Sequence, residues 1–266
     1  LKAIRIIDAS GNLLRAPDVE FSANELGLEA FGYNIANTAL VDVLYSQAAA
    51  ALPLLQPSNV DLIALAPDEA RLSGKQGWQI SARLVVGADG RNSICREAAH
   101  IPASVQQDEQ AAIATSFTHA APHRGVSIEL HRKGGSVTTV PLTDAFASSV
   151  IWVGESAEID GLMRLDAKGF EAALAGRLDG LFGRIGEIGA RAHFPVTRLN
   201  AESLVGPRTA LVGEAGHVLP PIGAQGLNLG LRDVATLADC VGAALTRGGD
   251  PGSDEVLSAY DRARKL

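Results

Sequence analysis

The sequence predicts an α/β fold whose strand-and-helix part is interrupted by an antiparallel sheet. Three observations carry this. Two short apolar runs, Leu84–Val86 and Thr209–Val212, each stop at a glycine, as buried strands do when they feed a turn. From Leu227 the apolar residues recur at Leu231, Val234, Ala238, Val241 and Leu245, the 3.6-residue period of a helix, with Arg232, Asp233, Thr236 and Asp239 on the other face. Between the two runs, over about residues 105–200, the period falls to two.

Taken in order, residues 1–33 read as β structure. Ala3, Ile4, Ile6 and Ile7 precede the turn triplet Ser10-Gly11-Asn12, and Leu13-Leu14 complete a hairpin. Asn34 or Asn37 is positioned to cap a helix with the apolar face Leu40, Leu44, Ala48 and Ala51, stopped by Pro53. Residues 59–81 read as two strands around the polar stretch Leu72–Gly77. Val126–His131 alternates apolar with polar, Gly134-Gly135 makes a turn, and Ser136–Leu142 and Ala147–Val153 supply two more strands. A helix is expected over Ala167–Phe182, then a loose connection through Gly183, Gly186 and Gly189.

Composition removes several classes of function. The chain has 266 residues, 47% hydrophobic and 20% charged, enough to bury a core in one large or two small domains. A net charge of −7 with no Lys/Arg cluster argues against nucleic acid as a partner. Two cysteines outside any ligand spacing and six scattered histidines point to no metal site and to a reduced, cytoplasmic compartment. No zinc-protease, serine-hydrolase or phosphate-loop signature is present.

Two glycine-rich turns carry the chemistry. The first runs Gly87-Ala88-Asp89-Gly90-Arg91-Asn92-Ser93-Ile94-Cys95-Arg96: a buried strand ending in a tight turn, with Asp89 poised to bond neighbouring backbone and Arg96 available for a diphosphate or a nicotinamide phosphate. The second runs from Gly213-Glu214-Ala215-Gly216-His217 through Pro220-Pro221-Ile222-Gly223-Ala224-Gln225-Gly226-Leu227-Asn228 into the helix. A helix entered this way presents unpaired N–H groups and its positive dipole end to an anion or an electron-rich carbonyl. Glu214, at the carboxyl end of a strand, is suited to accept hydrogen bonds from sugar hydroxyls.

The second stretch resembles the second FAD-binding motif of the class A flavoprotein monooxygenases, written Gly-Asp, a small pair, His, then Pro-Pro-x-x-x-Gln-Gly-x-Asn. The first matches that class's Asp-Gly motif at every fixed position, and Leu26–Asn37 also looks like the ubiquinone-biosynthesis aromatic-ring hydroxylases. Two departures stand out: Glu214 where the motif has Asp, and Gly216 where it has Ala.

The resemblance implies an FAD-binding Rossmann-like domain of the glutathione-reductase/PHBH type with an antiparallel-sheet substrate domain. Its expected parts are residues 1–104 and 201–266 for the FAD-binding domain and 105–200 for the substrate domain. It implies FAD and NAD(P)H as cofactors and, as cofactor-binding residues, Asp89, Arg96, Gly213, Glu214, Pro221, Gly223, Gln225, Gly226, Leu227 and Asn228. Pro220, Pro221 and Ile222 would wall the flavin ring, and no catalytic side chain is assigned. The implied reaction is hydroxylation of an aromatic ring with O2, the substrate an apolar aromatic such as a polyprenyl phenol. A peripheral position at the inner membrane, a ubiquinone-biosynthesis complex and a homo-oligomer stay open as partners. So do a non-catalytic scaffold role and a flavin-dependent phenol hydroxylase or reductase of another pathway.

The Gly-x-Gly-x-x-Gly turn that opens such a fold is absent from these residues. The expectation is therefore a fragment whose first unit lies upstream of Leu1. Alone it would bind FAD weakly or not at all, and would self-associate through the surface left uncovered.

Overall fold

The alternation at the start of the chain forms a strand, β1 (Ala3–Asp8), in a computed structural model that describes residues 1–10, 16–52, 59–75, 77–221 and 223–265. The antiparallel partner of β1 is β2 (Val19–Ser22), with Ala3 opposite Ser22. The expected turn from Gly11 onward and its Leu13-Leu14 arm lie outside the described residues.

Helix α1 (Asn37–Ala51) is capped by neither candidate. Ala36 is the N-cap residue, Asn37 is the first helical residue, and Asn34 donates instead to the Pro141 carbonyl at 3.4 Å. None of its residues is buried, so its expected apolar face is uncovered within the described chain. The expected stop at Pro53 lies outside the described residues.

The two strands expected over residues 59–81 are three: β3 (Leu62–Leu65), β4 (Ala70–Ser73) and β5 (Gln79–Ala82), a small antiparallel meander. Pro67 has no N–H to give a ladder, and the chain turns there with Ala66 N–H on the Glu69 carbonyl. Next come β6 (Val85–Gly87), the short α2 (Ile94–Ala98) and β7 (Ala103–His119). The period-two segment gives β8 (Val126–Arg132), β9 (Gly135–Pro141) and β10 (Ala147–Glu155). Then follow α3 (Ser156–Arg164) and α4 (Ala167–Leu178), the latter ended by Asp179 in the left-handed region rather than at Phe182. The remaining elements are β11 (Ile185–Ile188), β12 (Ala192–Ala201), β13 (Val205–Gly206), β14 (Thr209–Leu211), β15 (His217–Val218), α5 (Gln225–Thr246) and α6 (Asp254–Arg264).

The chain divides into two units, Leu1–Leu52 with Asp108–Val196, and Pro53–Gln107 with Thr197–Leu266. The segment expected as one piece, residues 1–104, is split between them. The reason is β1, which pairs in parallel with β8 from Ala3 opposite Val126 to Asp8 opposite His131. In the first unit the strand order is β2-β1-β8-β9-β10-β7, with β11 also on β7. Ile113, Phe117, Val150 and Trp152 of the sheet bury against Phe170, Leu174 and Leu178 of α4, each burial favouring the fold by about 1.5–3 kcal/mol. His119 is part of this core. Its Nδ1 lies 2.7 Å from the Ala121 carbonyl and its Nε2 2.9 Å from Ser148 Oγ, and burial pushes its pKa down.

In the second unit β6 and β14 run parallel, with β13 antiparallel on β14. Ala210, Val212, Leu237, Leu257 and Tyr260 form a core beneath them, and the Tyr260 hydroxyl donates to the Leu211 carbonyl at 2.7 Å. Helix α5 turns an unexpected face to this core. The stripe that defined it stays exposed at Leu227, Leu231, Val234 and Leu245, while Asp233, Leu237 and Ala244 are buried. Among the described residues no helix is long and apolar enough to cross a membrane, and no group of three or more His, Cys, Asp or Glu could hold a metal ion.

Candidate functional site

Strands β6 and β14 end side by side, Gly87 opposite Leu211, and Val212 N–H donates to the Gly87 carbonyl at 3.0 Å. The two glycine-rich turns therefore leave the sheet from adjacent carboxyl ends, where open α/β sheets bind ligands. Gly87 cannot be larger: a Cβ there would meet Cys95 Cβ at 2.8 Å and Leu211 Cδ2 at 2.9 Å.

In the first turn the Asp89 carboxylate accepts Cys95 N–H at 3.1 Å, and Ser93 caps α2 by accepting Arg96 N–H at 2.9 Å. Burial alone would raise the Asp89 pKa. The hydrogen bonds from Ser93 and Cys95 outweigh it and hold the carboxyl below its usual value. The Arg96 guanidinium donates to the Ala215 carbonyl at 2.7 Å and the Arg91 carbonyl at 2.8 Å, so it ties the first turn to the second. The Asp89 carboxylate and the Nη1 and Nη2 of Arg96 thus make their hydrogen bonds within the two turns.

The second turn begins at Gly213, with φ 59°, in the left-handed region that favours glycine. A single 3₁₀ turn, Gly213–Ala215, follows. Glu214 projects from it, its carboxylate exposed and 3.4 Å from Arg91 Nη2. An exposed pair at that distance contributes little to stability, which leaves the carboxylate available. Gly216 has a local reason: a Cβ there would collide with Leu204 Cδ2. The Leu204 side chain fills the space that the alanine of the related motif would need.

Beyond β15 the chain passes Pro220 and Pro221. Ile222, the third expected wall residue, lies outside the described residues. Gly223 (φ 64°) and Ala224 (φ 50°) both take left-handed backbone, the second unusual for a residue with a Cβ. Ala224 is the N-cap of α5 and offers no side chain to its first turn. Gln225, Gly226, Leu227 and Asn228 are exposed there, and a Cβ on Gly226 would meet nothing within 4 Å. The Asn228 side chain bonds back to the Ala224 carbonyl at 3.0 Å, leaving the N–H groups of the first turn uncapped. Open space before an uncapped helix start, with an exposed carboxylate on the turn that packs against the same helix, fits a ligand with an electron-rich ring edge and a hydroxylated chain.

Behind this turn lies a polar cluster that sequence reasoning missed. Asp233 is fully buried, and its carboxylate receives three donors: Gly213 N–H at 2.9 Å, His217 Nε2 at 2.6 Å and Arg264 Nε at 2.8 Å. Burial favours its neutral form, and the bonds from His217, Gly213 and Arg264 reverse that, lowering its pKa. The sequence carries part of the signal: Asp233, Leu237, Cys240 and Ala244 recur at helical spacing on a second face of α5, which turns Asp233 toward the core but does not name its partners.

A family described as FAD binding domain matches residues 66–266. Ubiquinone hydroxylase UbiL of Rhodospirillum rubrum is 34% identical over 236 residues, covering 88% of this chain and 55% of that protein. The 3-demethoxyubiquinol 3-hydroxylase of Escherichia coli is 34% identical over 249 residues, covering 92% of this chain and 63% of that protein. The chain thus spans between about half and two thirds of the length of these relatives. Among solved structures, pqsL, a probable FAD-dependent monooxygenase from Pseudomonas aeruginosa, superposes with a TM-score of 0.80 at 21% identity, over 99% of this chain and 73% of that one. CmlS, a flavin-dependent halogenase, does so with a TM-score of 0.76 at 18% identity, over 99% and 49%. These two likenesses are of fold.

Proposed function

The chain belongs to the FAD binding domain family, and from that premise we propose that the protein carrying it is an FAD- and NAD(P)H-dependent monooxygenase acting on an aromatic ring. The substrate we infer is a polyprenylated phenol of ubiquinone biosynthesis. The observation that carries the reading is the pair of turns at the ends of β6 and β14, the second opening onto the uncapped start of α5. The ubiquinone hydroxylases at 34% identity support the choice of substrate class.

FAD, when bound, supplies the difficult chemistry, passing electrons from NAD(P)H to O2 and one oxygen atom to the ring. The residues of this chain bind and orient. Gly213 and Glu214 would meet the ribityl chain, Glu214 accepting from its hydroxyls. Gly223, Gln225, Gly226, Leu227 and Asn228 would bring backbone N–H groups to the ring edge, where they offset negative charge on reduction. Pro220 and Pro221 would exclude water from that side. Asp89 and Arg96 would act by fixing the two turns against each other. A polyprenyl tail partitions into lipid, so the same reading puts the protein at the inner-membrane surface, beside other enzymes of the pathway or copies of itself.

The test is the visible spectrum of the purified full-length protein, followed by NADH and NADPH oxidation with and without a polyprenyl phenol. Bound flavin with hydroxylated product is the expected result. A colourless protein, or one that oxidises NAD(P)H without hydroxylating any phenol offered, would count against it.

A further inference from the structure

The Asp233 cluster lies behind the proposed cofactor turn rather than in it, and has no part in the reading above. Three donors converge on two oxygens. Oδ2 takes Gly213 N–H and His217 Nε2, and Oδ1 takes Arg264 Nε. Gly213 is the left-handed residue from which Glu214 leaves the strand. His217 sits just beyond the same turn in β15, and its Nδ1 is buried without a partner among the described residues. Arg264 arrives from α6. One carboxylate therefore joins the two ends of the turn, the body of α5 and the last helix.

We propose that Asp233 is the positioning residue of the cofactor turn: its carboxylate holds Gly213 and His217 in place and so aims Glu214 at the flavin. The inference rests on the functional reading above. A turn held before the ligand arrives loses no ordering entropy on binding, so the effect appears as affinity for FAD.

Amide chemistry supplies the test. In Asp233→Asn, one of the two oxygens becomes an NH2 group. Wherever it points, at least one donor faces another donor. With the oxygen kept on Gly213 and His217, the NH2 faces Arg264 Nε. The amide end of a glutamine stands the same number of bonds from its Cα as an arginine Nε, so in Arg264→Gln it can donate to Asp233. In the double variant the glutamine oxygen can accept from the NH2 group introduced by Asp233→Asn.

FAD affinity is measured by fluorescence titration in the native full chain, well below the melting temperature of each flavin-free protein. Gly213 amide exchange is followed in parallel. Asp233→Asn should weaken FAD about tenfold or more and speed Gly213 exchange, while Arg264→Gln should change affinity by less than about threefold. The double variant should recover to within about threefold of the native affinity, a coupling that general loosening does not produce. Glu214→Ala is the control for the underlying reading. If it weakens FAD while Asp233→Asn binds as the native protein does, positioning by Asp233 is wrong and the cofactor site stands. If the native protein binds no FAD, or Glu214→Ala changes nothing, the site reading falls and takes the inference with it. Should Asp233→Asn not fold, the double variant decides: native-like affinity supports the proposal, and a loss beyond about tenfold overturns it.

Discussion

Gly230 lies so close to Gly213 that a Cβ at position 230 would stand 3.3 Å from the Gly213 α-carbon. The neighbour is backbone in a left-handed turn and has little room to give. Gly230→Ala should therefore destabilise the protein by about 1–3 kcal/mol, the usual range for overpacking, despite alanine's better helix propensity. Urea denaturation measures it. An unchanged or higher midpoint would mean that α5 can move away from the turn without loss.

Gly226 is the contrasting case, since a Cβ there meets nothing within 4 Å. In the full-length protein, Gly226→Val should leave the flavin-free form about as stable as before and still abolish flavin retention. Loss of flavin with an unaltered melting curve assigns the space in front of Gly226 to the ligand. A variant purified with its normal flavin content removes that loop from the site.

Glu214→Ala should weaken FAD by about 1.5–3 kcal/mol, the range for a hydrogen bond to a charged group. Its carboxylate pairs with Arg91 at the exposed surface, so the fold should persist. Glu214→Asp should bind nearly as well as the native protein, or better. Equal affinity in all three would take Glu214 out of the cofactor's reach.

Acid should act through Asp233. Its folded-state pKa lies below the ordinary 3.8, so the stability it contributes is complete well above that value. It is lost as the pH falls through 3.8 toward the folded pKa. Urea midpoints should begin to fall as the pH drops through 6.5, where the depressed His119 pKa acts, and fall further below about pH 4, each such carboxylate adding a limiting slope near 1.4 kcal/mol per pH unit. In Asp233→Asn that acid limb should be shallower. An identical limb in both proteins would show that other carboxylates control acid unfolding.

The two cysteines should separate in reactivity. Burial, with the Asp89 charge beside it, pushes the Cys95 thiol up to about 12, and the residue is buried. A disulfide reagent at about pH 8 should modify the partly exposed Cys240 first and reach Cys95 only on unfolding. Rapid modification of Cys95 in the native state would indicate that the first turn opens.

What the sequence disclosed and what it concealed divide along physical lines. Val126–Arg132 and Gly135–Pro141 could be read because one face of each strand is buried, which writes the period into the residues. The two turns could be read because their glycines answer to positive φ or close approach, as at Gly87 and Gly213. Helix α5 was recognised as a helix but its buried side was not. Its larger residues, Leu227, Leu231 and Val234, stay exposed, and the buried side, which faces α6 and the Gly213–Ala215 turn, uses Ala244 and Leu237 around a buried charge. Burying Asp233 is tolerable only because a histidine 16 residues away and an arginine 31 residues away converge on it. No local pattern announces such a convergence. Strand β7 escaped because its polar start, Ser104–Gln110, hides the alternation that its second half carries from Ala111 to His119.

The parallel pairing of β1 with β8 sets an order of assembly. Strands β8, β9 and β10 are consecutive and zip through short connections. β1 must close a loop containing all of Pro53–Gln107, which belongs to the other unit. That closure loses chain entropy before any contact compensates it. Strand β1, synthesised before β8, thus docks after β8, β9 and β10 have paired. Substitutions at Ile4 and Ile6 should chiefly speed unfolding, while those at Val137 and Val150 should slow folding. Until residues 126–131 leave the ribosome, Ile4 and Ile6 can pair only with Phe21 and Val19 of β2, and the nascent chain carries the other edge of β1 open to a chaperone or a neighbouring copy.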